Sequence, residues 1–300
     1  MSTHFDLRLF VAQDIYFLMT TEKDWCVGEY AEDIHKYLRS KERKRFLFRG
    51  QSPQLHMRKK LVQWMDTVCQ KMKFCTTVQH LAVYLLDIFM DNHTIQCDHL
   101  HMVVVGCLIV AVKLEENDNL IPKNSDLNAL LGNKYKLIEF VQMEVSVLNF
   151  FNWDVLFPTA AHFAEYYALF AIQPTDKLQD KSLSDYDLVK VYVNKYINYF
   201  LEVTIQDPIF INFCPSIVAA SCVASARVCL SLSPPWPMPL QNITYYKYPQ
   251  MKPCMDLLQK ALETDMAASR KGLENISDMS HYVNTNGPTS SIPTDCIVMS

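Results

Sequence analysis

Side chains able to do chemistry are spread along this 300-residue chain, and their spacing assembles few of them. The densest cluster is Cys97-Asp98-His99-Leu100-His101, which gathers a thiol, a carboxylate and two imidazoles. A metal centre needs about four converging ligands, but His99 and His101 are two apart and do not share a helix face. No second cluster completes the set, so the segment reads as a helix start with Asp98 as its cap. Ten cysteines contain no C-x-x-C pair and sit mostly in apolar helical patterns. That suits buried thiols in a reducing compartment, and makes the sequons at Asn92, Asn242 and Asn275 chance occurrences. The 6 glycines lie far apart, which excludes a loop that cradles phosphates. There is no nucleophile elbow and no H-E-x-x-H pair, so no catalytic residue, metal site or cofactor is expected.

Electrostatics offers one more candidate. Ten basic residues fall between Lys36 and Lys60, densest in Lys41-Glu-Arg-Lys-Arg45. Such a run serves nuclear import or nucleic-acid contact, or is the solvated end of a helix. A formal net charge of −4 argues against nucleic acid as the main partner. Ser233-Pro234 has the form of a proline-directed phosphorylation site, although the prolines around it more simply build a rigid turn.

The elements that position these groups are helical. Half of the residues are hydrophobic and 20% are charged, enough for one large or two ordinary cores. The opening MSTHFDLRLFVAQDIYFLM is broken by Asp6, Arg8 and Asp14, so no secretory signal is expected. The most apolar stretch, Met102 to Val112, is shorter than the ~20 residues of a membrane span and reads as a core helix. Leu61, Trp64, Met65, Val68 and Met72 recur at helical steps, as do Val78, Leu81, Ala82, Leu85, Ile88 and Phe89. Asp98 to Glu115 forms a central helix. Ser125 or Asp126 caps a short one ending at Gly132, and Leu137, Phe140, Val141, Val145 and Leu148 form a last stripe. A second block of similar rhythm opens at Pro158, with helices over 161–171, 186–204, 215–231 and 249–268. The expected organisation is an N-terminal segment 1–56, folds at 57–157 and 158–268, and a Ser/Thr/Asn/Pro-rich mobile tail at 269–300.

Motifs in order along the chain resemble the cyclins. Tyr30-Ala-Glu-Asp-Ile-His-Lys-Tyr-Leu-Arg39 is similar to the helix before the cyclin box, and Met57-Arg-Lys-Lys-Leu-Val-Gln-Trp64 to the opening of that box. His80-Leu-Ala-Val-Tyr-Leu-Leu-Asp87, Lys113-Leu-Glu-Glu116, Met143-Glu144 and Val147-Leu148 follow. Phe213-Cys-Pro-Ser216, Trp236-Pro237 and Lys252-Pro-Cys-Met-Asp-Leu257 extend the resemblance through the second block. It implies an all-α protein, two tandem five-helix cyclin folds preceded by an N-terminal helix.

It also implies a function. A cyclin binds and activates a cyclin-dependent protein kinase in cell-cycle control, does no chemistry itself, and works in nucleus and cytoplasm. Lys113 and Glu144, read as charges at the ends of apolar helices, match residues that bond the kinase beside its regulatory helix. Leu114 stands where the family commonly has Phe. Tyr30, Ile34 and Tyr37 form a stripe that either meets the kinase or packs on this protein's own core. Arg58 and Asp87 match an ion pair buried inside the first fold, and Glu115 and Glu116 read as solvated face. Met57, Leu61, Trp64 and Leu100 match a groove that docks arginine-x-leucine motifs. Lys60 replaces an aliphatic residue there and repels a basic peptide, and Thr67 replaces a Glu that would pair with its cation. A cyclin-fold transcription adaptor and a non-activating kinase scaffold are the alternatives.

Overall fold

Helix signals along the chain are met by helices in nearly every case. The structure, a computed structural model, describes residues 24–178, 181–182 and 185–285. The reading that the N-terminus lacks a signal falls on 1–23, outside the described residues; the mobile tail read over 269–300 is helical as far as Thr285, and its remainder, 286–300, lies outside the described residues. A one-turn helix, α1 (Asp24–Val27), precedes α2 (Ala31–Lys41), the expected pre-box helix. The first five-helix group follows: α3 (Arg58–Met72), α4 (Thr76–Asn92), α5 (Leu100–Glu115), α6 (Asn124–Leu130) and α7 (Leu137–Phe150).

The central helix is α5, apolar on all sides because α3, α4 and α7 surround it. With the 3-10 turn Cys97–His99 before it, the segment reaches 19 residues at a mean hydropathy of 1.7, long and apolar enough to cross a membrane. Met102 through Val112 are nevertheless all buried in the protein's own core. Gly106 explains the tight crossing with α7, since an added Cβ would run into the side chain of Met143. Leu61, Met65, Leu81, Leu85, Val104, Leu108 and Val147 fill the core, and Ile205 of the second group reaches into the same cluster.

The second group is α8 (Ala160–Ala168), α9 (Tyr186–Gln206), α10 (Pro215–Cys229), α11 (Met238–Thr244) and α12 (Tyr248–Thr285). Its count of five agrees with the resemblance, whereas periodicity showed only four. The missed α11 is two turns long, too short for a readable stripe. Asp185 caps α9 by accepting from the Leu188 amide at 3.0 Å, and Pro215 starts α10 at a position where its missing N–H costs nothing. The helix expected to stop near Ala268 continues to Thr285. Three two-residue strands, Lys177–Leu178, Lys181–Ser182 and Leu232–Ser233, pair antiparallel beside this group.

Several local expectations change. Asp98 is not the cap of α5, which follows His99, and its carbonyl accepts from the Tyr135 hydroxyl at 2.6 Å. Asp126 acts three residues inside α6, accepting from the Lys123 amide at 3.3 Å. Among the described residues no group of three or more His, Cys, Asp or Glu is placed to hold a metal.

A candidate protein-docking site

One helix of the first group has two apolar faces. On α7, Phe140 and Val147 are buried against α5, while Leu137, Ile138, Val141 and Val145 stand 51%, 57%, 43% and 40% exposed. The stripe containing Phe140, Val141 and Val145 therefore divides: Phe140 points inward, and Val141 and Val145 point out. A row of exposed aliphatic side chains at helical spacing is the surface a partner helix covers.

Lys113 and Glu144 stand beside that row. The Lys113 Nζ donates to Glu144 Oε1 at 2.6 Å, with side chains 46% and 15% exposed. Lys113 ends α5 as expected, but Glu144 lies in the middle of α7 rather than at its end, because the helix continues to Phe150. Open to solvent on its Lys113 side, the pair adds little to stability and Lys113 can exchange partners at small cost. Leu114, beside Lys113, is exposed. Glu115 and Glu116 are not solvated face. Glu115 Oε1 is 3.0 Å from His162 Nε2 on α8, and Glu116 accepts from the Cys75 amide at 2.7 Å where α4 begins.

On α2 the aromatic stripe is not the face packed on the protein's own core. Tyr30 and Tyr37 are exposed and Ile34 is half-buried, whereas the face carrying Ala31, His35 and Leu38 is buried. His35 Nε2 lies 3.0 Å from the Tyr167 hydroxyl, its ring packed among Phe163, Tyr166 and Tyr167 of α8. Burial, helped by Arg39, holds the His35 pKa at about 4, so it is neutral at pH 7. Arg39 Nη1 donates to Ser216 Oγ at 2.6 Å and to the Tyr246 hydroxyl at 2.5 Å. Glu42 accepts from the Ser216 amide and hydroxyl at 3.0 and 2.8 Å. Lys41 pairs with Asp154 at 2.6 Å, just past α7, next to the exposed Trp153. The basic run is thus only partly solvated: Lys41 and Arg45 tie down the segment, and Arg43 and Lys44 remain exposed.

Arg58 and Asp87 form the expected buried pair, with Nε and Nη2 donating to the two carboxylate oxygens at 2.7 and 2.8 Å. The pair is not confined to the first group. Arg58 also donates to the carbonyls of Ile205 and Gln206, both at 2.9 Å, where α9 ends and carbonyls lack helical partners. Burial pushes the Asp87 carboxyl up, and the adjacent guanidinium opposes it. A second such pair was missed. Arg227 on α10 is fully buried and holds Asp176 at 2.7 and 2.8 Å, plus the carbonyls of Ala171 and Pro234 at 2.5 and 2.6 Å. A lone Arg inside the apolar run Ala224-Ser-Ala-Arg-Val228 was the available signal.

Of the groove residues, Leu61 and Leu100 are buried, leaving half-buried Met57 and Trp64 as the accessible part. The Trp64 ring meets His101 edge to face at 5.2 Å. Lys60 and Thr67 are exposed, and the Thr67 hydroxyl bonds the Gln63 carbonyl at 3.0 Å.

Comparison with known proteins agrees with this architecture. The family described as "Cyclin, N-terminal domain" matches residues 33–156, and "Cyclin, C-terminal domain" matches 158–282. Cyclin-J of Xenopus laevis is 39% identical over 264 residues, covering 86% of this chain and 69% of the relative. Cyclin-J of Homo sapiens is 38% identical, covering 84% and 66%, and a Cyclin-J-like protein of Mus musculus 36%, covering 81% and 64%. The chain thus spans about two thirds of these relatives. Among solved structures, a viral cyclin from herpesvirus saimiri superposes with a TM-score of 0.59 at 14% identity, covering 76% of this chain and 95% of that one. A chain of the CAK complex of Chaetomium thermophilum bound to ATP-gamma-S gives a TM-score of 0.51 at 12% identity, covering 83% and 81%.

Proposed function

The chain belongs to the cyclin family, and from that premise we propose that it binds and allosterically activates a cyclin-dependent serine/threonine protein kinase, doing no chemistry of its own. The observation that carries the proposal is the unpartnered aliphatic row of α7 lying against Lys113 and Glu144. Apolar area supplies affinity, and the two charges supply direction by bonding backbone groups of the partner. Tyr30, Ile34 and Tyr37 on α2 and Leu114 on α5 extend the surface. Such a partner gains by having its regulatory helix held in one position, so that its own catalytic Lys–Glu pair forms. Substrates are not recruited through ordinary arginine-x-leucine docking, because Lys60 and Thr67 disfavour a basic peptide. The exposed Arg43 and Lys44 favour residence in the nucleus as well as the cytoplasm.

Affinity purification of the tagged chain from dividing cells, with kinase assay of the eluate, tests the reading. Recovery of one cyclin-dependent kinase in active form is expected. An inactive bound kinase would favour a scaffold, and salt-sensitive retention of DNA without a kinase would favour a transcription adaptor.

A further inference from the structure

The basic side of α2 lines a pocket apart from the α7 row and the tyrosine stripe. A cavity of about 350 Å³ is lined by His35, Lys36, Arg39, Ser40, Arg43 and Tyr245. Lys36 and Arg39 on α2 and Arg43 in the 3-10 turn Glu42–Lys44 that follows it line the same pocket, so three cations border it. At about 100° per residue the face of Lys36 and Arg39 lies roughly 150° around α2 from Tyr30, Ile34 and Tyr37. A ligand here and a protein on the tyrosine stripe can therefore bind together. We infer that this pocket receives the phosphate of a phosphoserine or phosphothreonine side chain on a partner protein.

Arg39 is the preorganised element. Its guanidinium lies 4.6 Å from the centre of the Tyr246 ring, and Nη1 is fixed on Ser216 and Tyr246. Its Nε also pairs with the buried Glu42 at 3.4 Å, so Arg39 forms a fixed cationic wall, and the adaptable donors are those of Lys36 and Arg43. Arg43 is exposed and forms no ion pair among the described residues. Lys36 bonds Glu32 at 2.8 Å, an exposed pair that a dianion displaces readily. His35, in the inner wall, is neutral at pH 7 and adds no charge.

Three cations around one small cavity suit a compact anion rather than a polymer. A nucleic acid needs a charged track, and here Glu32 and Asp33 interrupt the surface on the N-terminal side. A carboxylate brings one charge, whereas a phosphorylated side chain brings nearly two and three acceptor oxygens. The inference is independent of kinase activation, because the residues involved belong neither to the α7 row nor to the tyrosine stripe of α2.

The test selects a random-flank phosphoserine/phosphothreonine peptide library on the full chain. It then measures the enriched peptide, its unphosphorylated twin and a 20-mer single-stranded RNA by fluorescence anisotropy at about 150 mM salt. The phosphopeptide should bind about tenfold or more tighter than its twin, and weaken at pH 5 as the phosphate loses charge. Lys36→Ala with Arg43→Ala should remove that preference while leaving helical circular dichroism and kinase co-purification unchanged. Arg39→Lys provides a third variant, because Arg39→Ala would also loosen the docking of α2. No enrichment, equal binding of the twins, a preference untouched by the double variant, or tighter binding of the RNA would each overturn the inference.

Discussion

Arg58 serves two groups of helices at once, since its guanidinium satisfies the Asp87 carboxylate and the last carbonyls of α9. Removing it strands a buried carboxylate and two carbonyls together. Arg58→Ala should therefore lower stability by about 3–5 kcal/mol. Adding Asp87→Leu to Arg58→Met should recover a large part of this, and an unchanged melting temperature in Arg58→Ala would contradict the arrangement. The sequence made the Arg58–Asp87 pair legible because both lie in recognisable motifs. The carbonyls of Ile205 and Gln206 were not, since backbone groups nearly 150 residues away leave no side-chain signal. Arg227 was overlooked for a related reason: its partner Asp176 sits in a loop without periodicity. Buried histidines add a dependence on pH. His80 is buried with a pKa lowered to about 3, first by burial and then by His162. From about pH 6.5 downward the unfolded chain takes up this proton and the folded chain does not, so stability falls on acidification. His80→Leu should remove about 2 kcal/mol of the loss between pH 7 and pH 5 in denaturant titrations. Identical losses in both proteins would rule the site out as a source.

The helices that bear the proposed docking surface were legible as helices but not as surfaces. For α7, apolar spacing predicts a helix and cannot say which of two apolar faces a neighbour covers. Gly106 and Met143 settle this by bringing α5 against the Phe140 and Val147 side. For α2, the buried face is set by His35, Arg39 and Glu42 reaching residues of the second group, contacts that no local pattern encodes. Exposure then makes a prediction for each helix. Lys113→Ala with Glu144→Ala, and separately Tyr30→Ala with Tyr37→Ala, should leave helical circular dichroism and melting nearly unchanged, because exposed groups contribute little to folding. If the proposed function holds, both should weaken kinase capture about tenfold or more. Full capture by both double variants, at unchanged stability, would place the kinase elsewhere.

At the scale of the whole molecule, the helices up to the first part of α12 share one compact unit that ends at Leu258. The two groups are joined by polar contacts from Arg58 and by Ile205 in the core of the first group. The helix preceding the first group is pinned to the second through Arg39 and Glu42. Such a body is suited to present a fixed surface to a mobile partner, and that is the physical content of activation by binding: the rigid component selects one conformation of the other. The number of helices in each group was legible only through resemblance, because α11 is too short to announce itself. The most direct test is to titrate the purified chain into its purified kinase partner and follow phosphate transfer to a peptide substrate. Activity should rise saturably to a one-to-one complex, and the Lys113→Ala with Glu144→Ala variant should need about tenfold or more protein to reach the same activity. Saturating binding with no rise in phosphate transfer would contradict the account.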